Sequence, residues 1–464
     1  MNSLGKKLFF LTLIVLITLS CVVVEKVKAT DNSFPRKANY FLKWNITDAE
    51  AIELAKWDLL VLDMETQIKS KNQLKKIRRL NPDIVMLAYI TPQEIAVSAA
   101  TSDSFMRKKL ASGIEERWYL KNDSGENYSF WPGTIMLNVA DTCPKVNNKR
   151  LNEYVAEFVV EEILSTNLWD GVFYDNAWNN LTWFTGIKAD LNRDGLADSF
   201  IDNHWVWGME DLYNLTRSLV GDDIVLVGNA HTRGYKEQLN GKMIESFSSH
   251  NWQEVMDNYK YNQELKYEPR YNIINANTLN EGGKNNYQKM RYGLASSLLE
   301  DGYFSFDYGD TDHSQLWWYD EYGVDFGEPL GASVSENKYT SYGPDVWQRN
   351  FTNGLVLVNS TDKDKSVILG GEYEKIHGTQ DQEINDGSIV TETIIGSYDG
   401  LLLLKTFDSL QDVLFKNGDF VRFFNKDGDR VRNGFFVFEE EYKGGDRIAY
   451  IDLDGNGRRD LVVV

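Results

Sequence analysis

Short runs of apolar residues alternate with amphipathic stretches from residue 38 onward, and this alternation is typical of repeated strand–helix units. The run from Gly171 to Tyr174 is the clearest of them, because it leads directly into Asp175 and Asn176. A continuous apolar run of this kind is typical of a strand that is buried on both faces of a parallel sheet. Asp175 and Asn176 are therefore predicted to lie at the carboxyl end of that strand.

Eight strands of this kind are predicted in succession, and helical patterns follow most of them. The predicted strands are residues 38–44, 59–62, 84–90, 170–174, 224–227, 243–244, 272–276 and 303–306. The predicted helices are residues 48–56, with Thr47 or Asp48 as the N-cap, and residues 71–80, 150–165, 205–220, 252–265 and 287–299. This order predicts an α/β fold, a (β/α)8 TIM barrel, with an active site at the carboxyl ends of the strands.

The pattern changes after about residue 345, where short strands separated by Gly, Asn and Asp turns predict a small C-terminal all-β domain. The predicted domains are a barrel and catalytic domain at 34–342, a β-sandwich-like appendage at 343–410, and a small β region with a calcium-type Asp loop at 411–464. The appendage either holds substrate or stabilises the barrel. The structural role is favoured, because no cluster of acids and amides follows its strands.

The N-terminus has the pattern of a targeting segment. Two lysines precede an apolar run from Leu8 to Val24, and Ala29 supplies the small residue that a signal peptidase requires. Residues 1–29 are therefore predicted to be a cleaved signal peptide, and the mature protein to be secreted or held at the cell surface. A lipid anchor on Cys21 and an uncleaved anchor helix are the alternatives, so membrane attachment is considered through the N-terminus only. Cys143 is then the one cysteine left, which excludes an intrachain disulfide.

The charge of the chain argues against a nucleic-acid partner. The net charge is −20 and the pI about 4.8, and after the N-terminus basic residues cluster only between Lys71 and Arg79, on a predicted helix face. The sequence also contains no Gly-x-Ser-x-Gly elbow and no Walker loop, which argues against an esterase-type triad and against phosphoryl transfer. No cofactor is predicted for catalysis.

Two segments have the oxygen spacing of calcium-binding loops, with Gly at the sixth position. The predicted ligands of a structural Ca²⁺ are Asp190, Asn192, Asp194 and Asp198 in the first loop, and Asp452, Asp454, Asn456 and Asp460 in the second. Both loops lack the usual acid at position 12. The alternative is an Asx-rich turn without an ion.

Glycosidic bond cleavage needs two carboxyl groups that flank one bond. Strand ends supply seven candidates: Asp63, Glu65, Glu94, Asp141, Asp175, Glu245 and Asp307. Asp175 and Glu245 are the predicted catalytic pair, because strands four and six are near enough around a barrel to face each other across a sugar. Asp175 is predicted to be the nucleophile or base, with Asn176 among its hydrogen-bond donors. Glu245 is predicted to be the acid, because Phe247 gives it an apolar surround that favours the protonated form.

Further strand-end and aromatic residues are predicted to bind substrate. They are Asp63, Glu65, Glu94, Asn138, Asn176, Trp178, Asn229, Asn277 and Asp307, and Trp131 and Trp252 offer further stacking surfaces. For each strand-end carboxylate, a cap on a neighbouring helix or a pair with an arginine is the structural alternative. The scattered histidines His231, His250 and His313 either contact sugar hydroxyls or make structural hydrogen bonds, and they lack the spacing of zinc ligands.

Several motifs resemble a known family. They are Asp-Met-Glu after strand two, Trp-Asp-Gly-Val-Phe-Tyr-Asp-Asn at strand four, Gly-Asn after strand five, Ile-Glu-Ser-Phe at strand six, the Asp-x-Asn-x-Asp-Gly loop, and Arg-Asn-Phe-Thr-Asn-Gly-Leu-Val-Leu-Val-Asn after the barrel. Over roughly residues 38 to 370 the chain resembles the hypothetical glycosyl hydrolase family 15. It is more distantly similar to the endo-α-1,4-polygalactosaminidases, and its Phe-Tyr-Asp-Asn motif is similar to the nucleophile motif of α-galactosidases. That likeness implies Asp175 as nucleophile and Glu245 as acid/base, although the α-galactosidases carry Asp at the latter position.

Two hypotheses about function follow from these patterns. The first is an exported glycoside hydrolase that cleaves O-glycosidic bonds of a polysaccharide with two strand-end carboxylates. The second is a non-catalytic carbohydrate-binding or cell-surface protein on a degenerate TIM barrel. The separation of the carboxyl groups of Asp175 and Glu245 distinguishes them, because only an enzyme requires both groups on one open cleft.

Overall fold

The computed structural model describes residues 34–247 and 251–406, together with the backbone of five strands between residues 414 and 463. The predicted signal peptide and His250 lie outside the described residues. In the part of the chain that is described, no helix is both long and apolar enough to cross a membrane.

Eight parallel strands form one sheet in sequence order, each hydrogen-bonded to the next. They are β1 (Ala38–Phe41), β2 (Leu59–Asp63), β3 (Val85–Ile90), β4 (Gly171–Tyr174), β5 (Val225–Asn229), β6 (Gly241–Phe247), β7 (Ile273–Asn277) and β8 (Tyr303–Asp307). A parallel bridge between Lys37 and Phe304 joins the start of β1 to β8 and closes the sheet into a barrel. The fold is the predicted TIM barrel.

The barrel strands are apolar on both faces, which explains why they read as continuous apolar runs. Val61, Leu87 and Phe173 lie in a cluster inside the barrel, whereas the alternate residues of the same strands, such as Leu62 and Val172, pack toward the surrounding helices. Successive side chains of a strand point to opposite faces, so burial of both faces requires apolar residues at every position.

Nine α-helices are found among the described residues. They are α1 (Asp48–Leu54), α2 (Thr66–Lys69), α3 (Lys71–Leu80), α4 (Phe105–Ser112), α5 (Leu151–Phe158), α6 (Thr182–Thr185), α7 (Ile201–Val220), α8 (Trp252–Asn262) and α9 (Tyr287–Ser297). Thr47 caps α1 in a capping box with Glu50, as the sequence predicts. Helix α5 continues as a π-helical turn, Val159–Ile163, and a 3-10 turn, Leu164–Thr166, so the predicted helix 150–165 is one segment with changing hydrogen-bond spacing.

Long excursions separate β3 from β4 and β4 from α7, and both lie at the carboxyl ends of the strands. They contain two short antiparallel pairs, Glu94–Ala96 with Thr134–Met136 and Lys121–Asn122 with Ala189–Asp190. The first excursion also contains two 3-10 turns, Ala99–Thr101 and Glu116–Trp118, and a third 3-10 turn, Asp320–Gly323, follows β8. These excursions supply one side of the cleft described below.

A second sheet, antiparallel and six-stranded, follows the barrel. Its strands are β9 (Val334–Ser335), β10 (Val346–Asn350), β11 (Gly354–Asn359), β12 (Lys365–Lys375), β13 (Ile389–Ile395) and β14 (Asp399–Lys405), in the order β9-β10-β11-β14-β12-β13. It is one sheet rather than a sandwich-like pair, and its second layer is barrel helix α9. A Cβ at Gly400 would lie only 2.4 Å from the Cβ of Ala295, so a glycine is needed at this contact.

The last described strands form two small groups. Strands β15 (Leu414–Lys416), β16 (Phe420–Phe424) and β17 (Arg430–Phe436) make a three-stranded antiparallel sheet, and β18 (Ile448–Ile451) pairs with β19 (Asp460–Val463). The elements described in the C-terminal region are therefore all strands, as the sequence predicts.

Candidate active site

Asp175 follows directly after β4 at the carboxyl end of the barrel. Its Oδ2 accepts a hydrogen bond of 2.6 Å from the hydroxyl of Tyr89, and its Oδ1 accepts bonds from the Asn176 amide at 2.8 Å and from Nδ2 of Asn229 at 2.9 Å. Asn176 has a left-handed backbone, with φ 53°. Three donors thus hold both oxygens of the Asp175 side chain in place.

Glu245 lies near the end of β6, where the strand bulges. Glu245 and Ser246 stand opposite a single residue of β7, and Ser246 is left-handed with φ 56°. The side chain of Asn277 donates to the hydroxyl of Ser246 at 3.1 Å and supports this turn. Bulges are frequent next to active sites because they change the direction of a side chain.

One nitrogen atom joins the two predicted catalytic carboxyl groups. Nδ2 of Asn229, at the end of β5, donates to Oδ1 of Asp175 at 2.9 Å and to Oε2 of Glu245 at 2.7 Å. An amide nitrogen carries two hydrogens, so both bonds form at once. The two acceptor oxygens are therefore at most about 5.6 Å apart, since each lies within hydrogen-bond distance of the same atom.

His313 lies near the other carboxyl oxygen of Glu245. Its Nε2 lies 3.7 Å from Oε1 of Glu245, while its Nδ1 is 2.8 Å from Oδ2 of Asp307. Asp307 ends β8, and Nδ2 of Asn275 donates to the same carboxylate oxygen at 3.1 Å. Asp307 is only 2% exposed, so it acts on the cleft through His313 rather than by direct contact.

Burial and like charge perturb the acid–base groups of this cluster. Burial, with the charge of Asp175 next to it, raises the pKa of Glu245 to about 7. Burial opposes charge on His313, but the hydrogen bond and the charge of Asp307 outweigh it and raise the pKa of the imidazole. Burial lowers the pKa of His231, which also lines the cleft. The two catalytic candidates therefore differ in environment, one rich in donors and the other favouring the protonated form.

The carboxylates face an open cleft of about 570 Å³ at the carboxyl end of the barrel. Asn176, Trp178, Asn229 and Tyr40 are among its lining residues. One side consists of four aromatic residues from the two excursions, here called the aromatic wall: Phe130, Trp131, Trp178 and Trp183. A smaller cavity of about 200 Å³ shares Tyr89, Trp131 and Asp175 with the cleft.

Two of the residues predicted to bind substrate have structural partners instead. The guanidinium of Arg107 binds both oxygens of Asp63, at 3.0 and 2.6 Å. Glu65 is fully buried and accepts hydrogen bonds from Ser104, Phe105 and Met106 at the start of α4. Neither lines the cleft. They match the alternative raised above, an arginine pair and a helix cap.

Three other strand-end residues are likewise engaged by their surroundings. Oε1 of Glu94 accepts the backbone amides of Phe130, at 3.2 Å, and Trp131, at 2.9 Å, so Glu94 supports the aromatic wall. The fully buried Asn138 donates to the carbonyl of Leu191 at 2.6 Å. Asp141 pairs with Nδ1 of His204 at 2.7 Å, outside the cleft.

The prediction that Trp252 offers a stacking surface is wrong. Its indole is 3% exposed, packs against Tyr342 and Trp347 between the barrel and the second sheet, and donates to Ser296 at 2.9 Å. Its position at the start of α8 places it on the helix face that packs inward. Trp183 contributes instead to the aromatic wall.

In the first calcium-type loop, the carboxyl groups accept hydrogen bonds from backbone amides of the same loop. Asp190 accepts the amides of Asp194 and Gly195, and Asp198 accepts those of Leu191 and Asn192. Within the described ranges, no group of three or more His, Cys, Asp or Glu side chains is placed to hold a metal ion. The second loop, Asp452 to Asp460, lies outside the described residues except for the strand backbone at its end. Calcium binding stays a prediction.

Besides Phe130 and Trp183 of the aromatic wall, sequence reasoning missed three polar residues near the catalytic pair. They are Tyr40 on β1, Tyr89 on β3 and Asp310 after β8, all of which line the cleft. The sequence alone does not distinguish His313 from the other two scattered histidines. For the two tyrosines a signal exists: each occupies an inward-facing position one residue before the end of its strand, in the same layer as Phe173. The hydroxyl group of an inward-pointing tyrosine near the carboxyl end of a strand faces the active-site end of a barrel.

The chain matches a known protein family over most of the barrel. A family model described as "Hypothetical glycosyl hydrolase family 15" matches residues 78–355, which is more than half of the chain. The chain belongs to hypothetical glycosyl hydrolase family 15. Membership of this family, together with the barrel, supports a glycosidase that acts on a carbohydrate. A search of curated proteins found no match.

Several solved structures match the chain at low sequence identity. They include the alpha-glucosyl transfer enzyme XgtA (10% identity, 81% of this chain and 99% of that chain, TM-score 0.44), isomaltulose synthase from Erwinia rhapontici NX5 (9%, 80% and 98%, 0.44) and a glycoside hydrolase family 5 protein from Bacteroides vulgatus ATCC 8482 (9%, 81% and 91%, 0.40).

Proposed function

We propose that this protein is an exported, retaining glycoside hydrolase that cleaves O-glycosidic bonds of a polysaccharide. The observation that carries the proposal is the double hydrogen bond from Asn229 to Asp175 and Glu245. It limits the separation of the two acceptor oxygens to about 5.6 Å, whereas retaining enzymes hold their carboxyl groups roughly 5 to 5.5 Å apart and inverting ones roughly 6.5 to 9.5 Å. Because a single donor bridges the near oxygens of the two carboxyl groups, we infer the shorter, retaining arrangement.

In the first step Asp175 is the nucleophile. A carboxylate held by Tyr89, Asn176 and Asn229 is oriented for attack on the anomeric carbon, which forms a glycosyl ester as the bond to the leaving oxygen breaks. Glu245, whose pKa of about 7 keeps it protonated in mildly acidic solution, gives its proton to that oxygen.

In the second step Glu245 is the base. Its carboxylate takes a proton from a water molecule, which attacks the same anomeric carbon and displaces Asp175 from the ester. Two inversions return the original anomeric configuration. His313 stands 3.7 Å from Glu245 and helps to stabilise the negative charge that the carboxylate carries between the two steps.

Export is part of the proposal and rests on the N-terminal sequence. The apolar run from Leu8 to Val24 and the small residue Ala29 support a secretory signal. A polysaccharide is too large to enter a cell, so a secreted or surface location suits a hydrolase of this class.

The test is release of reducing ends by the purified full chain from neutral, amino-sugar and acidic polysaccharides. We expect activity on one class, with losses on the order of 10³-fold or more in both Asp175→Asn and Glu245→Gln. Asp141→Asn is the matched control, because it changes a strand-end carboxylate outside the cleft and leaves activity intact. NMR of the first product should show the anomer of the substrate.

Two results would contradict the proposal. Saturable glycan binding without turnover on any of the polysaccharides would favour the non-catalytic binding protein. Turnover with inversion of the anomer would keep the hydrolase but exclude Asp175 as a covalent nucleophile.

A further inference from the structure

The aromatic wall exposes two indoles beside two half-buried rings. Trp131 is 48% exposed and Trp183 is 58% exposed, and both line the cleft. Their rings stand at 79° to the ring of Phe130, with centroids 5.3 and 5.8 Å away. Phe130 also packs edge-to-face on Trp178, at 4.8 Å. Exposed apolar surface beside a polar cleft is typical of a ligand-binding groove.

Two carboxylates hold the loops of this wall in place. Glu94 accepts the backbone amides of Phe130 and Trp131, which come from the excursion after β3. Asp202 accepts the amides of Leu181 and Thr182, at 2.7 and 2.8 Å, and so anchors the short helix that carries Trp183. The two indoles therefore belong to separate loops, each fixed by its own acceptor, and present preformed surfaces.

Apart from two histidines and two tyrosines, the ionisable side chains that line the cleft are acidic. Asp175, Glu245 and Asp310 line it, whereas the described lining residues include neither lysine nor arginine. The imidazole of His313 is paired with the carboxylate of Asp307 at 2.8 Å. Arg107 reaches only the smaller cavity beyond Asp175, and Asp63 binds its guanidinium. A cleft lined by charge of one sign repels ligands of the same sign.

From these observations we infer that the cleft takes an uncharged glycan, whose sugar rings stack on Trp131 and Trp183, and that it rejects uronic-acid and sulfated glycans. This inference rests on the proposed function, since it names the substrate class of the same site. The C–H face of a pyranose ring buries apolar surface against an indole, and its hydroxyls meet amides and carboxylates opposite.

A cationic amino sugar fits the charge of the cleft but not its chemistry. An ammonium group beside Glu245 would favour the ionised carboxylate and remove the proton that the leaving oxygen needs. An anionic sugar would bring a further carboxylate next to Asp175 and Glu245, with no cation among the described lining residues to pair with it. An uncharged sugar avoids both costs.

The test is binding to the full chain carrying Asp175→Asn, which separates affinity from turnover. Calorimetric titrations with cellohexaose, maltohexaose, xylohexaose and mannohexaose are compared with hexagalacturonate, a hyaluronan hexasaccharide and chitosan hexaose. We expect saturable binding of at least one uncharged hexaose, and none of the anionic ones. Adding Trp131→Ala or Trp183→Ala should weaken it about tenfold each, and Trp131→Phe should restore most of the affinity.

Trp207→Ala is the matched control, because this indole is 46% exposed but lies outside the cleft. Unchanged melting temperatures show that the variants fold. Binding of an anionic hexasaccharide or of chitosan hexaose as tight as the best uncharged ligand overturns the inference, as does no binding of any uncharged hexaose. Wild-type turnover of an anionic polysaccharide would leave the proposed function standing and remove this inference. If an uncharged glycan binds through both tryptophans but the wild type does not turn that glycan over, this inference stands and the proposed function fails.

Discussion

Asn229 donates a 2.7 Å hydrogen bond to Oε2 of Glu245 from the end of the neighbouring strand. The same nitrogen holds Asp175, so Asn229 lies between two carboxyl groups that would otherwise repel each other. Its hydrogen bond lowers the pKa of Glu245, although burial and the charge of Asp175 outweigh this effect and keep the pKa raised, at about 7. Asn229 thereby sets both the spacing and the acidity of the pair.

Asn229→Ala should lower kcat/KM on the order of 10²-fold, because it removes one fixed donor from each carboxyl group. It should also move the alkaline limb of the pH–rate profile to higher pH, since the loss of its hydrogen bond raises the pKa of Glu245 further. The measurement is kcat/KM from pH 4 to 9. Asn122→Ala, in a surface strand, serves as the control, and an alkaline limb that moves to lower pH would contradict the assigned role.

Glu245→Gln should stabilise the fold at pH 8 and leave it unchanged at pH 4. The pKa of Glu245 is raised in the folded protein, so the unfolded chain ionises first and the wild type loses stability as the pH rises from about 4.5 to about 7. Glutamine removes this dependence, and the gain above pH 7 is about 3 kcal/mol at most. Urea unfolding at both pH values measures it.

The control for that comparison is Glu161→Gln, an exposed glutamate on the segment after α5. The difference in stability between this variant and the wild type should be the same at both pH values. Equal stability of the Glu245→Gln variant and the wild type at pH 8 would show that the burial of this carboxyl group carries no energetic cost.

His313 and Asp307 should act as one unit. Asp307 raises the pKa of His313 and fixes its Nδ1, and His313 in turn favours the charged form of Glu245. We expect His313→Gln and Asp307→Asn each to reduce kcat about tenfold, and the double variant to be little worse than either. Histidine NMR should show a lower pKa for His313 in Asp307→Asn. Losses that multiply in the double variant would mean that the two residues act independently.

Much of the fold can be predicted from this sequence because the barrel strands are buried on both faces. Continuous apolar runs at β4 and β5, each followed by an amide or an acid, show both the strand and its carboxyl end. The order of strands then follows from the strand–helix alternation alone. The ends of helices are harder to predict. Helix α7 begins at Ile201, four residues before the predicted start at Trp205. Its N-cap is Phe200, an exposed aromatic residue with a left-handed backbone, which is not a usual capping residue.

The candidate site was predictable only in part, because strand-end position does not show where a side chain points. Asp175, Asn229 and Glu245 meet on the cleft, but Asp63 turns to Arg107, which comes 44 residues later in helix α4. Glu65 caps the same helix. Such partners come from loops whose paths the sequence pattern does not encode, and the position of His313 depends equally on the segment after β8.

The junction between barrel and second sheet should depend on the buried pair of Arg291 and Asp399. Nη2 and Nε of Arg291, on α9, lie 2.8 and 3.2 Å from the Asp399 carboxylate on β14, and the arginine side chain is 4% exposed. Asp399→Ala leaves the buried guanidinium with Asp381 as its remaining carboxylate partner, so we expect a loss of about 3 kcal/mol in the free energy of unfolding, the lower end of the range for a broken buried pair. Glu53→Ala, which breaks an exposed pair with Lys56, should cost at most about 1 kcal/mol. Urea unfolding of both variants at pH 7 makes the comparison, and similar small losses would show that apolar packing alone holds the sheet on the barrel.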